Sequence, residues 1–153
     1  MKKYSAFTLI EILMVVALIA ILASITFIAV SPAKNFRDTR NTQRSTDTTQ
    51  ILNAMSQYVS EPGRSTSTLE TLVGVTLPPC QDDFVTTPTP LEIGTAAGLF
   101  DLNVLVDEYI VGIPVDPLTG SSQYSGYSVC KTVGSRLRVS AVMEGGGHVV
   151  VSR

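Results

Sequence analysis

Glu11 is the only ionisable side chain in an apolar run from Phe7 to Val30. A carboxylate inside a membrane span costs about 2.5 to 3.5 kcal/mol at the bilayer centre. Glu11 lies near one end of the run, only about 6 Å along a helix axis from Phe7, so its head can reach toward the interface at reduced cost. Two chemistries follow: a charge tolerated at the edge of an anchor, or a carboxylate that waits for a cationic partner in the apolar layer. Cys80 and Cys130 have no close Cys or His with which to hold a metal. Their separation suits a bridge across an exported domain, and two unpaired thiols are the alternative. A bridge would close a loop of roughly 50 residues, worth at most about 4 kcal/mol. His148 follows Gly145-Gly146-Gly147 with no Ser or Cys nucleophile beside it in sequence, which fits a strand-edge or exposed histidine better than a general base. Asp82-Asp83 and Asp107-Glu108 lack the spacing of a calcium loop or an acid–base pair. The glycine triplet lies between strand candidates rather than ahead of a helix, so it does not read as a phosphate cradle. No catalytic residue, metal site or cofactor is expected, and the chain is not read as an enzyme.

These groups must be positioned by two different kinds of element. As a helix the Phe7–Val30 run is about 36 Å long, enough to cross roughly 30 Å of hydrocarbon. It is also longer than the 7 to 15 or so apolar residues of an ordinary signal-peptide core, so retention as an anchor is expected. Lys2 and Lys3 on one side compete with Lys34, Arg37, Arg40 and Arg44 on the other, and a positive-inside count alone leaves the topology undecided. With 153 residues there is room for one small domain beside this segment. A formal net charge of −2 does not point to nucleic acid. The remainder is rich in Thr, Ser, Gly and Pro and has no Trp, a composition suited to an extracytoplasmic, loop-rich β domain.

Ser31-Pro32 forms a helix-start signature. Ile51, Leu52, Met55, Tyr58 and Val59 then fall on one face until Pro62-Gly63 stops the pattern. Arg37, Arg40 and Arg44 share another face, which reads as a solvated surface, a contact with lipid headgroups, or a partner for acidic patches on adjacent copies. Ser67-Thr68-Leu69-Glu70 has the capping-box pattern of a short helix running to Gly74. The spacing of Leu102, Leu105, Val106 and Tyr109 suggests another, and Cys80 to Gly98 reads as a surface loop. Tyr124–Thr132, Arg136–Glu144 and His148–Ser152 are strand candidates for an antiparallel meander, separated by Gly134-Ser135 and by the glycine triplet.

The string Ala6-Phe7-Thr8-Leu9-Ile10-Glu11, led by Lys2 and Lys3 and followed by Ile12-Leu13-Met14-Val15-Val16, closely resembles the prepilin processing motif of type IV pilins and type II secretion pseudopilins. The resemblance implies a leader over 1–6, cut from the chain between Ala6 and Phe7 by a prepilin peptidase that then N-methylates Phe7. Ala6 stands where that family usually has Gly. It also implies a role for Glu11 in assembly, as a carboxylate that meets the free amine of a neighbouring subunit so that two costly charges are neutralised together.

Its expected architecture is an α+β, pilin-like fold. A transmembrane and filament-core helix over 7–30 and an amphipathic helix over 31–62 would precede a head over 63–153, with the long helix packed on a small C-terminal antiparallel sheet. Ile113-Pro114-Val115-Asp116-Pro117-Leu118-Thr119-Gly120 resembles the Pro-x-Asp-Pro turn ahead of the final hairpins in such proteins. The proline often found in the apolar half of pilins is absent. The C-terminal calcium loop of major pseudopilins is not carried over either, because the glycine turn has no carboxylate beyond Glu144.

The function so implied is a structural subunit of a type IV pilus-like filament. A type II secretion or competence pseudopilin is the near alternative, and a monomeric signal-anchored binding module is the alternative from another class. Implied partners are further copies of the chain, the prepilin peptidase, an inner-membrane assembly platform and the lipid bilayer before assembly. The implied location is the cytoplasmic membrane, crossed once, before assembly, then an extracellular pilus or a periplasmic or cell-wall pseudopilus.

Overall fold

Apolar side chains at helical spacing need a surface to cover, and in the second part of this chain they have one. The computed structural model describes residues 7–29, 31–80 and 90–153 and divides into two units, Met1–Asp38 and Thr39–Arg153. Helix α1, Leu9–Ala29, belongs to the first unit, and α2, Pro32–Ser60, crosses from the first to the second. The start of α2 is the one its sequence announces: the Ser31 carbonyl accepts from the N–H groups of Lys34 and Asn35 at 3.1 and 3.3 Å, and Pro32 occupies the first helical position, where its missing N–H costs nothing.

The second unit is an α+β domain. Strands β1 (Leu91–Gly94), β2 (Tyr124–Lys131), β3 (Leu137–Val142) and β4 (His148–Ser152) form one antiparallel sheet in the order β1-β2-β3-β4. Tyr127 and Val129 on β2 and Leu137, Val139 and Ala141 on β3 point to one face, as period-two alternation requires. Ile51, Leu52, Met55 and Tyr58 of α2 close over that face, together with Leu69, Ile93 and Phe100. Much of α2 is Thr and Ser, which are weak helix formers; the Thr46, Thr48, Thr49 and Ser60 hydroxyls return hydrogen bonds to carbonyls four residues back. Burial of the apolar face therefore carries the helix, not propensity.

The three C-terminal strands lie where the alternation predicts. Other expectations shift. Helix α3, Thr66–Val73, is capped by Ser65, whose side chain accepts from the Thr68 N–H while the Thr68 hydroxyl accepts from the Ser65 N–H. The box is thus Ser65–Thr68, not Ser67–Glu70. Glu70 instead accepts from the Leu77 N–H and from Lys131 Nζ at 2.9 and 2.7 Å, tying α3 to β2. Gly74 ends α3 in the left-handed region at φ 79°. The Leu102 pattern yields only a 3₁₀ turn, Leu102–Leu105. The expected loop from Cys80 to Gly98 contains β1, because Ile93 fills the core and Leu91 packs on it. Residues 81–89 of that stretch, with Asp82 and Asp83, lie outside the described residues.

Candidate functional site

Helix α1 begins with a cap. The Thr8 hydroxyl accepts from the Glu11 N–H at 3.3 Å and the Thr8 carbonyl from the Glu11 and Ile12 N–H groups at 3.1 and 3.3 Å, which satisfies donors a helix start leaves open. Glu11 is therefore in the first turn, where the positive end of the helix dipole favours a carboxylate. Its side chain is exposed. Phe7 is 76% exposed, and large apolar side chains from Leu9 to Ile28 project outward on every side of the helix. The hydroxyls of Ser24 and Thr26 are satisfied within the helix by the carbonyls of Ala20 and Leu22, each at 2.8 Å, as an apolar solvent requires. Leu9–Ile28 is long and apolar enough to cross a membrane. The cap escaped the sequence reading, although Thr8-x-x-Glu11 is its signature.

A second constellation lies in the Thr39–Arg153 unit, called the head from here on. Arg44 is 3% exposed and donates from Nε to Asp116 Oδ2 and from Nη2 to Asp116 Oδ1, the latter at 3.1 Å. Its Nη1 also reaches Asn41 Oδ1 at 2.8 Å and Glu144 Oε1 at 3.3 Å. Arg40 makes a two-pronged pair with Glu144 at 2.5 and 2.7 Å, and the Asn41 amide both donates to the Glu144 carbonyl and accepts from its N–H, at 3.2 and 3.0 Å. Asp116 Oδ1 further accepts from the N–H groups of Leu118 and Thr119, each at 2.9 Å. The Pro-x-Asp-Pro turn and the β3–β4 hairpin are thus fastened to the same turn of α2. Gly126 permits the fit: its φ is 79°, and a Cβ there would stand 2.7 Å from the Asp116 Cβ.

This overturns the readings of Arg40 and Arg44 as a solvated, lipid-facing or intersubunit face. Arg44, Asp47, Thr48 and Ile51 share one buried stripe of α2, and the polar start of that stripe conceals it from a search for apolar periodicity. Burial alone would raise the Asp116 carboxyl, but the hydrogen bonds from Arg44 and from the Thr119 and Leu118 N–H groups outweigh it and hold the group well below the usual carboxylate range. The Arg40 hydrogen bond lowers Glu144 likewise, against a smaller opposing effect of burial. Burial and then the hydrogen bond to Asp47, at 2.6 Å, push the Tyr127 hydroxyl up.

Residues 1–27 match the family model of the prokaryotic N-terminal methylation motif. The chain carries a prepilin-type N-terminus. That match spans the capped start of α1 and most of its length, and does not extend to the head. Comparison with curated proteins and with solved structures gave no match.

Of the residues expected to act in this prepilin-type segment, Phe7 stands two residues ahead of α1 and Glu11 in its first turn, while Ala6 and the rest of 1–6 lie outside the described residues. Cys80 and Cys130 form a disulfide with Cα atoms 5.1 Å apart. Backbone hydrogen bonds between Pro78–Cys80 and Lys131, both 2.9 Å, flank it. His148 is exposed at the first position of β4, and Glu108 lies 3.0 Å from the Tyr109 hydroxyl. Tyr109 also donates to Glu61, which with partial burial pushes the phenol up to about 12. Among the described residues no three His, Cys, Asp or Glu side chains converge in a way that could hold a metal.

Proposed function

We propose that this chain is a structural subunit of a type IV pilus-like filament, cut between Ala6 and Phe7, N-methylated at Phe7 and assembled through α1. The carrying observation is the coincidence of the methylation motif with a helix whose apolar side chains face outward on all sides and whose one carboxylate, Glu11, lies in its first turn. Before assembly α1 anchors the chain in the cytoplasmic membrane. On assembly the Glu11 carboxylate neutralises the methylated amine of a neighbouring Phe7, so that two charges otherwise costly in hydrocarbon favour the filament over the lone subunit. Axial register follows from that pairing. The role is structural rather than catalytic, and its partners are other copies, the prepilin peptidase and the inner-membrane assembly platform. A type II secretion or competence pseudopilin would use the same α1 chemistry.

Mass spectrometry of the mature N-terminus tests processing: N-methyl-Phe7 is expected, and an intact Met1 or a cut near Ala33 would refute it. Glu11→Gln should leave insertion and cleavage intact while lowering incorporation into filaments. Normal filaments from that variant would remove Glu11 from assembly.

A further inference from the structure

The four cations that follow the apolar run divide two and two. Arg40 and Arg44 are fastened to Glu144 and Asp116. Lys34 and Arg37 join no ion pair among the described residues. They are three residues apart on the first turns of α2 and therefore on one side of it. Phe36, which lies between them in sequence, is 65% exposed. Asp38 is the only acidic residue from Ser31 to Asp38, so the segment is net cationic, and it lies in the same unit as α1.

Position along the chain says what such a group meets. At helical rise Leu9–Ile28 spans about 30 Å, the thickness of the hydrocarbon layer. Lys34 and Arg37 follow Ile28 by only six and nine residues, and their long stems can reach back several ångströms. That places one ammonium and one guanidinium head near the headgroup layer, with an apolar aromatic ring of the kind that buries at the headgroup–acyl boundary. We propose that Lys34 and Arg37 bind the phosphates of anionic phospholipids in the leaflet where α1 ends, with Phe36 at the headgroup boundary, and so hold the unassembled subunit at a fixed depth. This rests on the membrane-anchored stage of the function proposed above. Each cation near an anionic surface favours the docked state roughly fivefold, so the pair gives about thirtyfold. The same contacts must be released when a subunit leaves the bilayer for a filament.

Because the chain has no Trp, Phe36→Trp supplies a single reporter at an exposed position. The full-length variant is reconstituted into phosphatidylcholine vesicles with and without phosphatidylglycerol, and co-flotation with each is recorded first. With the anionic lipid, emission should move to shorter wavelength and be quenched by lipids brominated near the headgroup. Both effects should weaken in phosphatidylcholine alone, at 1 M salt, where the screening length falls to about 3 Å, and in the Lys34→Gln/Arg37→Gln background. Each single glutamine variant should lose about fivefold in the docked ratio. Equal spectra with and without anionic lipid, or a response that persists in the double variant, would overturn the inference. So would a shift that follows protein concentration and not lipid charge, which would assign the two cations to a neighbouring copy. Failure to co-float with either vesicle would instead sink the membrane anchor itself.

Discussion

Helix α1 and the Thr39–Arg153 unit treat their side chains in opposite ways. Along α1 the apolar groups face outward and the two hydroxyls are satisfied by its own carbonyls, so each described residue is complete or incomplete by itself. In the head the key charged groups are completed at long range: Arg44 needs Asp116, Glu144 needs Arg40 and Asn41, and Asp47 needs Tyr127. The difference teaches where each region finds its stability. The head closes its core and its Arg44–Asp116 and Arg40–Glu144 pairs within one chain, whereas α1 leaves its apolar side chains exposed, with Glu11 as its one charge.

The strongest way to break the head's half of that comparison is Arg44→Ala. It strands the Asp116 carboxylate in a buried site, and uncompensated buried charges cost about 3–5 kcal/mol. Denaturant unfolding of the full chain in detergent should show a loss of that size. A midpoint within error of wild type would show that the pair is dispensable. Removing both cysteines as Cys80→Ser/Cys130→Ser should cost less, at most about 4 kcal/mol for a loop of this length in the chain-entropy model, and reduction of the wild type should reproduce the same loss.

Acid titration tests the sign of the clasp. Asp116 and Glu144 are held below their ordinary values, so the folded state binds fewer protons than the unfolded chain in that range. Their contribution is fully present above the unfolded carboxylate values of about 4 and falls as pH drops below them toward the folded-state values. Thermal melts should therefore decline below about pH 4, and the decline should be shallower in Asp116→Asn. The smallest effect sharpens the other half: Glu11→Gln should leave the head's unfolding midpoint unchanged, because Glu11 lies in the other unit, while filament incorporation drops. A matching loss of head stability would erase the division between the two regions.

Local chemistry made much of this legible in advance. The Ser31-Pro32 start, the Gly74 stop and the three C-terminal strands follow from φ restriction, capping and period-two burial, each decided within a few residues of chain. The box at Ser65 was misplaced because two overlapping Ser/Thr patterns compete there and only packing of Leu69 selects one. β1 was missed because its four residues carry too short a pattern to separate from the Thr- and Pro-rich stretch before it.

By itself, then, the sequence determined the apolar helix with its single carboxylate and its N-terminal methylation motif, since those depend on residue type and on position along one chain. Only the tertiary structure decided which cations are committed. Whether Arg44 meets water or Asp116 depends on a partner 72 residues away, and long-range pairing of charges leaves no period in the sequence from which it can be read.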